Sequence, residues 1–413
     1  MHYFEYQGDT LFCEALPLPT LAHEVGTPAY IYSAKTIQRH FHAFHDAIAN
    51  HDHLICYSVK ANSNLSILKL LARVGSGFDI VSGGELFRVM KAGGDPQKVV
   101  FSGVGKTEEE IRYALENKIL SFNVESEQEL TVIQKIAREL STRAPVSLRV
   151  NPNIDPKTHP YISTGLKENK FGIPIEEASK IYQKSGSFSH IDFIGIDCHI
   201  GSQMLSLKPI LETLKELKKM ISSLRDFRVT IRHLNLGGGL GIRYSLEAPP
   251  SPQEYIAEIL KETKELGVKL LFEPGRTIVG NAGILLTRVL YTKKTSDKHF
   301  VIVDAAMNDL IRPALYHAYQ EIWPVEKKEG EAQKVDIVGP VCESGDFLAK
   351  DRPLPSVKPG DLLAIMSSGA YGFSMSSNYN SRKRAAEVLV DQASYKICRR
   401  RETDEDLISG EEL

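Results

Sequence analysis

Sulfur is sparse in this chain: five cysteines in 413 residues, Cys13, Cys56, Cys198, Cys342 and Cys398, odd in number and without a CxxC pair. That pattern argues against a disulfide framework or a structural zinc site, and no metal site is expected. No run of about eighteen apolar residues occurs, and Met1-His2-Tyr3-Phe4-Glu5 has no basic region leading into an apolar core. We therefore expect neither a membrane span nor a signal peptide, and a cytoplasmic protein. Net charge is also nearly absent, with 50 Lys and Arg against 52 Asp and Glu. The one dense basic run is Arg399-Arg400-Arg401, so a nucleic-acid partner is not expected. Long-period repeats and low-complexity segments are missing too.

What is present is an ordinary globular composition, 42% hydrophobic and 25% charged, long enough for a large barrel plus an addition. From about residue 28, short apolar runs alternate with stretches of helical period, which is how βα units around a parallel sheet read. Strands are expected at 54–59, 77–81, 98–102, 119–124, 146–150, 190–199, 232–236 and 268–272. Helices are expected between them, two of them opened by capping boxes, Thr107 with Glu110 and Ser126 with Glu129. Eight strands alternating with helices fit a (β/α)8 barrel better than an open sheet. After about residue 280 the pattern changes to strand-like runs between Pro and Gly turns, at 284–291, 299–304, 334–339, 361–366 and 387–390. The expected architecture is a barrel at 28–278 and a C-terminal all-β domain at 279–413. Residues 1–27 pack onto the latter, and their hairpin, Tyr3-Phe4-Glu5-Tyr6 with Leu11-Phe12, is expected to join its sheet.

The centre of the reading is Leu54-Ile55-Cys56-Tyr57-Ser58-Val59-Lys60, an apolar strand that ends abruptly on an amine. A lysine there is either leaving the sheet for water or positioned to form a Schiff base. In such a barrel, reactive groups collect at the C-terminal ends of strands. Asp79, Asn123, Glu125, Arg149, His199 and Glu273 all fall there. Gly237-Gly238-Gly239 follows the seventh strand, where bare backbone N–H groups can approach an oxyanion, although such a run is also simply a turn. Glu273-Pro274-Gly275-Arg276 offers a carboxylate, an amide and a guanidinium, or else a surface ion pair. His199 suits stacking on an aromatic ring and equally suits a satisfied core position. Taken together they describe a pocket for pyridoxal phosphate.

Six motifs carry a resemblance: Tyr57-Ser58-Val59-Lys60-Ala61-Asn62, His199-Ile200-Gly201-Ser202-Gln203, Gly237-Gly238-Gly239-Leu240-Gly241, Glu273-Pro274-Gly275-Arg276, Cys342-Glu343-Ser344-Gly345-Asp346 and Tyr371-Gly372-Phe373. In this order, over nearly the whole chain, they resemble the diaminopimelate decarboxylase family of fold-type III pyridoxal phosphate enzymes, relatives of alanine racemase. The resemblance implies a barrel with a C-terminal β domain, a homodimer with shared active sites, and pyridoxal 5'-phosphate as cofactor. It implies Lys60 as the Schiff-base lysine, His199 stacked on the ring and Glu273 at the pyridine nitrogen. Ser202, Gly238, Gly239, Pro274, Gly275, Arg276 and Tyr371 complete the cofactor site. Arg276, Arg312, Tyr316, Glu343 and Tyr371 match substrate contacts, and Cys342 matches the proton donor, with Cys342 and Glu343 coming from the partner subunit. One departure is a missing proline near Lys383 or Ala385, which touches none of these groups.

The implied reaction takes meso-2,6-diaminopimelate to L-lysine and carbon dioxide, the last step of lysine biosynthesis. Its chemistry agrees with the residues: two arginines suit a distal carboxylate, and Glu343 can accept from a distal ammonium. A thiol keeps its proton near neutrality and can deliver it to carbon. Three rivals stand beside this reading. One is a decarboxylase of the same fold acting on ornithine, arginine or carboxynorspermidine, which would need distal acids instead of Arg276 and Arg312. The others are a non-catalytic pyridoxal phosphate binder, which needs no Cys342-Glu343, and a racemase, which needs a second base.

Overall fold

The computed structural model describes residues 2–155, 169–227 and 229–413. The chain divides into two compact units. One comprises His40–Ile242 and Ala248–Thr277; the other comprises Met1–Arg39, Arg243–Glu247 and Ile278–Leu413.

The first unit is a closed parallel barrel. Its strands are His53–Ser58, Gly77–Ile80, Val99–Phe101, Ser121–Val124, Ala144–Asn151, Ile191–Asp197, His233–Asn235 and Lys269–Phe272. Each pairs in parallel with the next, and the last returns to the first through Leu270–Phe272 beside His53–Ile55. Every strand expected from the apolar runs is present. Such strands are buried on both faces, so Ile55, Phe78, Val100, Phe122, Leu148, Ile196 and Leu271 are all 2% exposed or less. The covering helices turn one apolar stripe inward, as in Leu65–Arg73, which buries Ile67, Leu68 and Leu71.

Helix starts follow side-chain chemistry. Thr107 and Glu110 form the full capping box expected of them. Ser126 caps its helix by accepting the Glu129 N–H, but Glu129 does not complete the expected box. Its carboxylate instead accepts the N–H of Glu125 and the ammonium of Lys106, the second a charge-assisted bond that the box does not offer.

The second unit is a sheet of mostly antiparallel strands. In spatial order it runs Phe347–Leu354, Gln333–Val338, His299–Val303, Gly283–Lys294, Ala29–Ser33, Ala386–Asp391 and Ser394–Arg399. Leu362–Ile365 also pairs with Gly283–Lys294, and Ile322–Pro324 pairs with Leu362–Ile365. The twelve-residue strand Gly283–Lys294 is the hub, since it pairs directly with His299–Val303, Ala29–Ser33 and Leu362–Ile365. The opening hairpin, Phe4–Gln7 with Thr10–Cys13, forms a small sheet with Leu16–Pro17 and does not enter the large one. The N-terminal strand that does enter is Ala29–Ser33, all five residues buried. Phe4, Leu11, Ile31, Ile284, Leu286 and Val388 meet in one core.

Candidate active site

The C-terminal ends of the barrel strands carry a band of buried polar residues. Parallel pairing sets Ser58 beside Asp79, Asn123 beside Ser147, and Asp197 beside both Arg149 and Asn235. Residues paired across a ladder point the same way, so one inward-facing polar position per strand builds the band. It borders a cavity of about 440 Å3 lined by Lys60, Ser102, Gly103, Arg149, Asp197, His199 and Glu273, among others.

Lys60 sits in a single 3-10 turn, Val59–Ala61, directly after the first strand. Its ammonium pairs with Asp79 Oδ2, and Ser58 Oγ lies 2.8 Å from that same oxygen. Ser58 Oγ is also 2.9 Å from the carbonyl oxygen of Glu273, which joins the first strand to the last. Glu273 is fully inside: Asn235 Nδ2 donates to its Oε1 at 2.6 Å and Asn123 Nδ2 at 3.3 Å. Burial, then Asp79 and Asp197, push its carboxyl well above the usual range, against a smaller lowering by Lys60. Burial also raises Asp197, to about 7, despite Arg149.

Arg149 Nη1 donates to Glu125 Oε1 at 2.8 Å, and its Nε lies 3.9 Å from Asp197 Oδ2. Four carboxyl groups, Asp79, Glu125, Asp197 and Glu273, thus surround two cations, Lys60 and Arg149. Such a cluster favours a further positive group beside Glu273.

His199 is held neutral: burial, then Arg149 and Lys60, lower it well below the usual histidine range. The N–H of Gly238 donates to its Nδ1 at 3.1 Å, so the ring proton sits on Nε2. The glycine run is built for close approach. A Cβ at Gly238 would lie 2.2 Å from the Glu273 carbonyl oxygen, and one at Gly239 2.2 Å from that of Gly201. Gly239 also has a φ of +104°, which side-chain-bearing residues rarely adopt. Arg276 donates to Ser202 Oγ at 3.0 Å, and a Cβ at Gly275 would meet Ser58 and Ala61 at 3.0 Å.

Lys60, His199, Ser202, Gly238, Gly239, Glu273, Pro274, Gly275 and Arg276 therefore all belong to the barrel unit. Arg312, Tyr316, Cys342, Glu343 and Tyr371 belong to the sheet unit. There Arg312 is buried, with its guanidinium 5.3 Å from the Tyr244 ring centre and 5.9 Å from that of Tyr316. Cys342 and Glu343 are exposed in a loop anchored by Asp346, whose carboxylate accepts the N–H groups of Val341 and Met307 at 2.7 Å. Asn380 Oδ1 accepts the Cys342 N–H at 2.8 Å. Tyr371 has a left-handed φ of +55°.

Sequence reasoning passed over Ser58, Lys106, Asp197 and Asn235. The signal for three of them was a lone polar residue inside an apolar strand, which registers only once the strand's inward positions are known.

A parallel barrel with an amine at the first strand end, a carboxylate at the last and bare glycine amides between them defines a pyridoxal phosphate enzyme of the decarboxylase class. In agreement, residues 34–280 match the family described as pyridoxal-dependent decarboxylase, pyridoxal binding domain. The chain is 56% identical to a diaminopimelate decarboxylase of Vibrio cholerae over 404 residues, covering 97% of each. It is 55% identical to that of Pseudomonas aeruginosa over 413 residues, covering 100% of this chain and 99% of the relative. The crystal structure of diaminopimelate decarboxylase from Helicobacter pylori complexed with L-lysine is 45% identical, with a TM-score of 0.92 over 95% of this chain and 98% of that one. This chain belongs to the diaminopimelate decarboxylase family.

Proposed function

We propose that the protein decarboxylates meso-2,6-diaminopimelate to L-lysine and carbon dioxide with pyridoxal 5'-phosphate, as a homodimer in the cytoplasm. The observation that carries the reading is the meeting of Lys60, itself paired with Asp79, with Glu273 and neutral His199 at one cavity. The cofactor fits the donor set. Both amides that bind Glu273 use Oε1, which leaves Oε2 for a protonated ring nitrogen, the positive group the acid-rich cluster favours. The glycine cradle, with no room for a Cβ at Gly238 or Gly239, suits the phosphate.

In this reading Lys60 would hold the cofactor through its Nζ, His199 would lie beside its ring, and Ser202, Gly238, Gly239, Pro274, Gly275, Arg276 and Tyr371 would hold its phosphate. Pyridoxal phosphate, when bound, supplies the electron sink for the pair left on the α-carbon as carbon dioxide departs. Asp79 would hold the Lys60 ammonium close whenever it is free of the cofactor. Arg276 and Arg312 bind the distal carboxylate, with Tyr316 and Tyr371 alongside, and Glu343 binds the distal ammonium. Cys342 Sγ gives its proton to the α-carbon, so each turnover consumes one proton and releases one carbon dioxide. The exposure of Cys342 and Glu343 suits service to a partner subunit. The exposed apolar side chains of Leu65, Val81, Phe87 and Val104 suit a barrel surface covered by a second copy. No described helix is long and apolar enough to cross a membrane.

The test is carbon dioxide release from meso-diaminopimelate by the reconstituted enzyme, with ornithine and arginine in parallel. Lysine formed from diaminopimelate alone is the expected result. Turnover of the basic amino acids instead would overturn the assignment of Arg276 and Arg312.

A further inference from the structure

Lys106 is a lysine that does not reach water. Its side chain is 1% exposed, yet it stands only one residue beyond the exposed pair Val104 and Gly105 at the cavity mouth. An ammonium has three donors and no acceptor, and here three fixed acceptors surround it. They are the carbonyl oxygen of Gly103 at 2.8 Å, the carbonyl oxygen of Asn123 at 2.9 Å and Glu129 Oε1 at 2.7 Å.

Each acceptor leads back to the cavity. Gly103 lines it, with a left-handed φ of +102°, and its N–H donates to Glu125 at 3.2 Å, so the residue is tied at both its N–H and its carbonyl. Asn123 donates through Nδ2 to Glu273 Oε1 and to Ser102 Oγ, at 3.3 and 3.0 Å. Glu129 spends its second oxygen on the N–H of Glu125, whose carboxylate holds Arg149 and the N–H of Gly172. This is why Glu129 leaves its own helix cap half made. A buried lysine needs a reason to be kept there, because a matched apolar side chain would spare the desolvation.

We propose that Lys106 is a positioning residue for the cofactor site: it ties the loop after the third strand to the end of the fourth, and so sets the place of Glu273 and of the wall at Ser102 to Gly105. Nothing in the reaction touches it. The proposal rests on Glu273 as a cofactor contact, and its test is built so that the two claims fail separately.

The experiment titrates full-length apo protein with pyridoxal phosphate and follows the visible band, for wild type, Lys60→Ala, Lys106→Met and Lys106→Met with Glu129→Gln. Thermal midpoints of the apo proteins, and kcat and KM at saturating cofactor, are measured beside it. Lys106→Met leaves Glu129 as an unpaired buried carboxylate and frees the two carbonyls. We expect its cofactor dissociation constant to rise about tenfold to a hundredfold, the scale of one buried polar mismatch. KM for diaminopimelate should stay within about twofold, since that scale is set elsewhere. The double variant removes the lone charge but not the loss of the clamp, so its midpoint should recover while its cofactor affinity stays weak. Wild-type cofactor affinity in either variant, with only the thermal midpoint lowered, overturns the proposal and leaves Lys106 a purely structural tie. Should Lys106→Met alone not fold, the double variant gives the same two readings. A borohydride-fixed band that survives in Lys60→Ala sinks the site assignment itself, whatever Lys106 does.

Discussion

His233 is the residue whose burial has the plainest consequence for stability. It faces the barrel interior at 4% exposure, with Nε2 2.8 Å from Ser147 Oγ, and burial lowers it to about 4. A histidine whose folded value lies below its unfolded value near 6.5 stabilises the fold fully above that value. The contribution is lost as the pH falls from about 6.5 through about 4, and on the order of 3 kcal/mol is involved. Denaturant melts across that window should slope for the wild type and flatten for His233→Gln. Equal slopes would mean that other groups, such as the cavity acids, carry the acid sensitivity. At this scale the sequence was legible for placement where a polar residue stood at a strand tip inside a distinctive motif, as Lys60, His199 and Glu273 do, all three lining one cavity. It was mute for Asp197 and Asn235, single polar residues in apolar strands. Their importance comes from lateral pairing, with Arg149 and with Glu273, that one strand cannot announce.

Elements were read well where burial on both faces left continuous apolar runs, which is why all eight barrel strands stand where the runs fell. The strands that escaped reading are at the margins. Phe347–Leu354 contains Lys350, Asp351, Arg352 and Pro353, and Ser394–Arg399 alternates polar with apolar residues; each closes one end of the large sheet. Edge strands carry charge and proline because these discourage further pairing, and in Phe347–Leu354 the same residues erase the strand signal. Ala29–Ser33 was hidden differently: its apolar run reads like one more barrel strand, yet it pairs with Gly283–Lys294 and Ala386–Asp391. The glycine turn after the seventh strand makes a sharper prediction. A methyl group at Gly238 meets backbone, not a movable side chain, so Gly238→Ala must shift the loop or Glu273. Cofactor affinity should fall at least tenfold, about 1.4 kcal/mol, while the apo protein keeps its circular dichroism. Tight cofactor binding by this variant would show that the turn does not form the cradle.

For the whole molecule, two compact units share the assigned residues, Lys60 and Glu273 in one and Arg312, Cys342, Glu343 and Tyr371 in the other. The assignment of Cys342 to a partner's site can be tested by mixing. Lys60→Ala and Cys342→Ala homodimers should each be nearly inactive. Unfolded together and reassembled at random, half of the dimers carry both lesions apart and hold one intact site, so about a quarter of wild-type activity should return. No recovery would mean that Cys342 and Lys60 serve the same chain's site. The division into barrel and sheet was visible in the change of pattern near residue 280. That an N-terminal strand joins the second sheet was visible as well, but not that Ala29–Ser33 does so in place of the opening hairpin, because strand partners over such separations are a property of the closed fold.

Ser58 Oγ contacts the Glu273 carbonyl oxygen across 215 positions of chain, and the Ser58 N–H donates to the carbonyl of Pro274. These contacts exist only when the eighth strand has docked against the first. A chain emerging from the ribosome therefore makes Lys60 early and completes its surroundings only when the barrel shuts. On the proposed assignment, a ligand gripped by Lys60 and Glu273 together would need the closed ring and would favour completed molecules by mass action over those still missing their last stave.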